Sequence, residues 1–171
     1  LGLASRLANF DLLGGEPLSY LGTRPRSDVL FSGGLLVGAA LLAAFHQYVR
    51  DHFSVGCGFS TAMLGGLVGQ VVAAVVPIGG NGTAHKVHTT FALLLGASLP
   101  ILMWRFAAAQ PPGRWRRVAY ALFWAEVAAC AVGFYLSSRS IAPLAEILPA
   151  AVFHGWIATV TFAPARRLAA R

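Results

Sequence analysis

The chain has 171 residues, 57% of them hydrophobic and 11% charged, with a formal net charge of +7, whereas an average soluble domain is about 25% charged. Such a composition excludes a soluble domain with a solvated surface. The basic excess sits at the ends of apolar runs, where it anchors to headgroups rather than tracking nucleic acid, so no nucleic-acid partner is expected.

In chain order, residues 1–13 read as the stub of a helix or an interfacial amphipathic segment. A polar stretch, 14–28, follows. Five apolar runs then succeed one another at 29–48, 57–78, 87–106, 118–136 and 144–162. At about 1.5 Å of rise per residue each is long enough to cross a hydrocarbon core of about 30 Å. The prediction is an all-α polytopic bundle filling residues 1–171 as one transmembrane domain. The loop Gln110-Pro111-Pro112-Gly113 is a helix stop between the third and fourth runs. Pro100 and Pro149 interrupt the third and fifth, freeing carbonyls for neighbouring helices.

Basic residues set the orientation. One face carries Arg50, Arg105, Arg114, Arg116, Arg117, Arg166, Arg167 and Arg171; the other carries Arg6, Arg24, Arg26, Lys86 and Arg139. The richer face belongs in the cytoplasm, together with the carboxyl terminus. An outside amino terminus then predicts a further span or signal segment upstream, six spans in all. Arginine used almost to the exclusion of lysine, with abundant Ala and Gly, is the bias of a GC-rich bacterial genome, so a bacterial inner membrane is expected.

Gly34 and Gly38 in the first run, and Gly65 and Gly69 in the second, are spaced four apart and predict faces on which helix backbones approach closely. Gln70 is an interhelical hydrogen-bonding group. Glu126 and His154 fall at matched depths in consecutive antiparallel runs, roughly 12–14 Å from the arginine-rich edge at a rise of about 1.5 Å per residue. They can form an intramembrane pair, either proton-sensitive or merely joining two helices. Cys57 and Cys130 are too few for a disulfide framework and read as small buried hydrophobes.

The opposite face gathers Glu16, Asp28, His85 and His88. His85 and His88, spaced i, i+3 after the turn Gly79-Gly80-Asn81-Gly82, can share a helix face and begin a metal site, but a site needs three or four ligands, so no metal is assigned. Asn81-Gly82-Thr83 also forms a glycosylation triplet, which would need a eukaryotic host. Bis-histidine haem needs two histidines at one depth. His46 and His52 lie at one end, His85 and His88 at the other and His154 between, so no cofactor is expected. No G-x-S-x-G, Walker or H-E-x-x-H motif occurs, and no catalytic residue is assigned.

Three stretches carry a family likeness. They are Pro17-Leu18-Ser19-Tyr20-Leu21-Gly22, then Leu30-Phe31-Ser32-Gly33-Gly34-Leu35, and a glycine-rich helix from Gly66 through Val76-Pro77 to His85 or His88. In their order the chain resembles the bacterial membrane-protein family catalogued as domain of unknown function 998, best over residues 17–105. Tyr20 stands where that family commonly has an acidic residue, and Ser32 where it has Asn. The resemblance implies six spans and no defined activity. A fainter likeness to the autophagy-modulator and lipid-remodelling membrane families hints at lipid handling.

The leading expectation is a non-enzymatic protein that binds a lipid or small hydrophobic molecule between its helices, under residues 14–28. A proton-coupled transporter using Glu126 and His154, and a membrane metalloenzyme using His85 and His88, are the alternatives. A homo-oligomer or a subunit of a larger complex remains open.

Overall fold

A computed structural model describes residues 9–79 and 82–163. The expectations for Arg6, Arg166, Arg167 and Arg171, for most of residues 1–13 and for the Asn81 triplet lie outside the described residues. A short 3-10 helix, Leu18–Thr23, precedes five α-helices: α1 Asp28–His52, α2 Cys57–Val75, α3 Thr83–Ala109, α4 Arg114–Ser138 and α5 Ala142–Phe162. Among the described residues no strand occurs. All five α-helices are long and apolar enough to cross a membrane. The chain is an all-α, multi-pass membrane protein in architecture.

The helix limits follow from local chemistry. The second run ends at Val75 instead of residue 78, because Pro77 forces the residue before it out of the helical region, and Val76 is extended (φ −103°, ψ 107°). Even so, its 19 residues rise about 28 Å, close to the thickness of a hydrocarbon core. α3 starts after Gly82, whose φ of 70° suits glycine and few other residues. It stops where Gln110, ahead of Pro111, turns extended (φ −76°, ψ 142°). There Gln110 Nε2 donates back to the Phe106 carbonyl at 3.0 Å, satisfying one of the carbonyls a helix end leaves open. α1 runs past its predicted end into Arg50 and His52, and α4 starts ahead of its predicted run at Arg114 to Arg117, both at the arginine-rich face, where interfacial side chains tolerate helix.

Consecutive helices pack as antiparallel neighbours, with α2 against α3 the most extensive pair. A Cβ on Gly69 would fall 2.7 Å from the Phe91 carbonyl oxygen and 2.8 Å from the Leu95 nitrogen, and one on Gly66 would fall 2.5 Å from Ser98 Oγ. The two backbones therefore meet on a Gly66/Gly69 face. This corrects the predicted Gly65/Gly69 face: Gly65 only grazes Leu94 at 4.0 Å, because an i, i+3 step, and not i, i+4, faces α3 here. In α1, Gly38 is a true contact, its Cβ position 2.8 Å from Gln70 Nε2, but Gly34 has nothing within 4 Å. Gln70 is buried and donates to the Leu35 carbonyl at 2.8 Å, joining α2 to α1 as predicted.

α4 and α5 close on Gly133, whose Cβ would lie 2.6 Å from the Ala145 carbonyl oxygen. That carbonyl is four residues before Pro149, which has no N–H to offer it. At the arginine-rich end, an aromatic core gathers residues from all five helices and the α1–α2 loop. Trp156 of α5 lies edge-on to Phe45 and to Phe106, with ring centroids 5.5 Å apart in each case, and Phe53 meets Phe106 at 5.2 Å. Tyr48 of α1 also donates to the Thr161 carbonyl of α5 at 3.1 Å.

Candidate functional site

At the opposite end, residues ahead of α1 fold into a cap. Phe10, Leu18 and Leu21 form a small apolar cluster with Tyr20, Phe31 and Ile147. Buried Ser27 donates from Oγ to the Leu21 carbonyl at 2.7 Å. The Leu18 N–H donates to Glu146 of α5 at 3.0 Å, and the side of Gly79 abuts Thr23. The cap is thus tied to α1, to α5 and to the α2–α3 turn.

Beneath it is a pocket of about 280 Å³. The cap contributes Ser19 and Gly22, α1 contributes Asp28, Val29, Phe31 and Ser32, the end of α2 contributes Ala73 to Val75 with Pro77 beyond it, and α3 contributes His88. Its small size suits a polar head, since pockets for whole drug-sized ligands run from about 300 to 1,000 Å³.

The polar side chains on its wall are Ser19, Asp28, Ser32 and His88. His88 is 3% exposed, and its Nδ1 lies 2.6 Å from the Val76 carbonyl. A carbonyl can only accept, so Nδ1 carries the proton in this contact. Asp28 accepts from the Val29 N–H at 2.8 Å through one oxygen, leaving its other carboxylate oxygen. The Ser19 and Ser32 hydroxyls can adapt either way. No lysine or arginine lines the pocket.

The structure brings Asp28 and His88 to one pocket and separates the other predicted residues of that end. Glu16 pairs with Arg24 in the cap. His85 is exposed and uses Nδ1 on the Ile78 carbonyl at 3.1 Å, so His85 and His88 each hold the turn after α2 through a different carbonyl. Among the described residues, no group of three or more His, Cys, Asp or Glu could hold a metal.

Nor are Glu126 and His154 a pair. Glu126 is fully buried; Oε1 accepts from the Cys130 thiol at 3.7 Å and Oε2 has no hydrogen-bond partner. His154 is exposed on α5 and donates from Nδ1 to the Ala150 carbonyl of its own helix at 2.6 Å. The rotation of α5 turns His154 outward and presents Phe153 and Trp156 to the core. The paired form of the transport expectation goes with it. Cys130, read as a plain hydrophobe, is the carboxyl's neighbour at i+4, a spacing that marks one helix face. The same spacing, Asp28 to Ser32, could have drawn attention to Ser32. Glu146 was missed because a lone acid near a helix start has an ordinary interfacial explanation.

Compared with known protein families, curated proteins and solved structures, the chain matches none.

Proposed function

We propose that this chain is a non-enzymatic protein of a bacterial inner membrane that binds an amphiphile. The amphiphile's head carries hydrogen-bond donors and positive charge, a primary ammonium in the simplest case, and enters the pocket under the cap. The observation that carries this reading is the pocket's polar wall of Asp28, His88 and two serine hydroxyls, with no lysine or arginine among its lining residues. An ammonium supplies the missing donors, and Asp28 supplies the opposing charge. Val29 and Phe31, beside Asp28 on the same wall, offer apolar contact to whatever chain follows the head.

The resemblance to the domain of unknown function 998 family supports the same place. Its three stretches contribute Ser19 and Gly22, Phe31 and Ser32, and Ala73 to Val75 and Pro77 with His88 to this one wall. We take the chain as a relative of that family on this ground.

Native mass spectrometry of the full chain, released from detergent carrying either phosphatidylethanolamine or phosphatidylcholine, tests the reading. The two heads bear the same charge, but only the ethanolamine has N–H donors. The expected result is one retained phosphatidylethanolamine, little phosphatidylcholine, and loss of the retained lipid in Asp28→Asn but not in Glu16→Gln. Equal retention of both lipids, or retention indifferent to Asp28→Asn, refutes it.

A further inference from the structure

A second concavity lies at the other end of the bundle, on the outer surface of α4. It is a shallow groove of about 580 Å³ lined by Pro112, Gly113, Arg116, Arg117, Tyr120, Ala121 and Trp124. We propose that this groove binds an anionic phospholipid of the surrounding bilayer, with its phosphate at Arg116 and Arg117 and an acyl chain along Tyr120, Ala121 and Trp124.

Three observations support this occupant. The groove's charge is of one sign: two arginines line it and no acid does. Its polarity is graded along α4. Arg116, Tyr120 and Trp124 succeed one another at intervals of four and share a helix face, so charge gives way to aromatic surface over about 12 Å of rise. A phospholipid with its head at the interface has the same gradient and the same direction. The groove is also open to the bilayer, since Trp124 is 62% exposed. An acidic peptide or a soluble anion would meet the arginines but would leave this apolar floor empty.

The arginines are prepared for the task. The Arg116 guanidinium lies over the Tyr120 ring, 5.6 Å from its centroid, which holds its planar donors near the top of the groove and leaves them open to bidentate contact with phosphate. Arg117 is exposed beside it. An arginine close to an anionic membrane surface is worth about a fivefold gain in association.

Trp124 supplies the readout. The full chain is reconstituted into phosphatidylcholine vesicles containing brominated phosphatidylglycerol or, at equal mole fraction, brominated phosphatidylcholine. Bromine quenches tryptophan on contact. The brominated anionic lipid is expected to quench more strongly, and the excess should disappear in Trp124→Phe, which assigns it to this groove among the four tryptophans. In R116Q/R117Q the preference should fall by about fivefold for each arginine removed. If the double variant fails to fold, Arg117→Gln alone, at an exposed position, must still lower it by about fivefold. Arg105→Gln, at the same end on α3, must leave it in place.

Equal quenching by the two lipids in the unaltered chain overturns the proposal, as does a preference that survives R116Q/R117Q or falls equally with Arg105→Gln. Removal of the excess by millimolar inorganic phosphate would show the arginines to be a soluble-anion site and would overturn the lipid assignment as well.

Discussion

Gly69→Ala should loosen the bundle at its tightest contact. The new Cβ would lie 2.7 Å from the Phe91 oxygen, 2.8 Å from the Leu95 nitrogen and 3.1 Å from Leu95 Cβ. Two of these are backbone atoms within the regular helix α3, so no side-chain rotation relieves the clash. The helices must separate by about 0.7 Å to restore ordinary contact, and a gap of that order forfeits a quarter to a half of each dispersion well it opens. Spread over the α2–α3 interface, at about 0.1–0.2 kcal/mol per atom pair, the loss reaches about 1–3 kcal/mol, the usual range for overpacking. Gly34→Ala is the matched control: nothing lies within 4 Å of its Cβ position, and alanine's higher helix propensity makes the change neutral or mildly favourable. Reversible unfolding of the purified chain in mixed micelles, titrated with a denaturing detergent and followed by tryptophan fluorescence, measures both. Should Gly69→Ala unfold at the same midpoint as the unaltered chain, the close α2–α3 approach, and with it the packing argument, is wrong.

Glu126→Met should raise stability in the same titration by about 1–3 kcal/mol, because it removes a buried oxygen that lacks a partner and fills similar volume with an apolar side chain; a loss of stability would mean that the carboxyl has a partner holding it in place. Glu146→Ala should free the cap from α5 while Glu146→Gln, which keeps an oxygen for the Leu18 N–H, should not. Limited proteolysis of the cap distinguishes them, with equal cleavage of both variants counting against the latch. Exposed Cys57, at the arginine-rich end, should react with a membrane-impermeant maleimide in inverted vesicles and not in intact cells; the reverse pattern would place the arginines outside.

Helix number and position were legible in the sequence because hydropathy over twenty residues reports the solvent a segment needs, whatever it packs against. Helix rotation was not. Apolar residues cover all sides of these helices, so the periodicity that reveals a buried face in a water-soluble protein is nearly flat, and both lipid and core accept the same side chains. Rotation is what separated His154 from Glu126 and exchanged Gly65 for Gly66. The polar pocket was partly legible: Asp28 and His88 were chosen because charge and imidazole are conspicuous among apolar residues, and residues 14–28 were expected to lie over a site. Ser19 and Ser32 entered only through the family likeness, since a serine near a helix start has many ordinary uses. The aromatic core at the far end left no sequence signal at all, because its rings come from separate helices.

The meeting of Gly133 with the Ala145 carbonyl bears on how α5 can move. Pro149 leaves that carbonyl without its usual donor, so the turn between residues 145 and 149 lacks a rung of the hydrogen-bond ladder. Within this weak turn, Glu146 is fastened to the cap. About two turns further on, Trp156 is wedged among Phe45, Phe106 and Phe153. α5 is thus held at its aromatic end and soft where it meets the cap, so a bend there would shift the cap over the polar pocket and leave the aromatic floor in place.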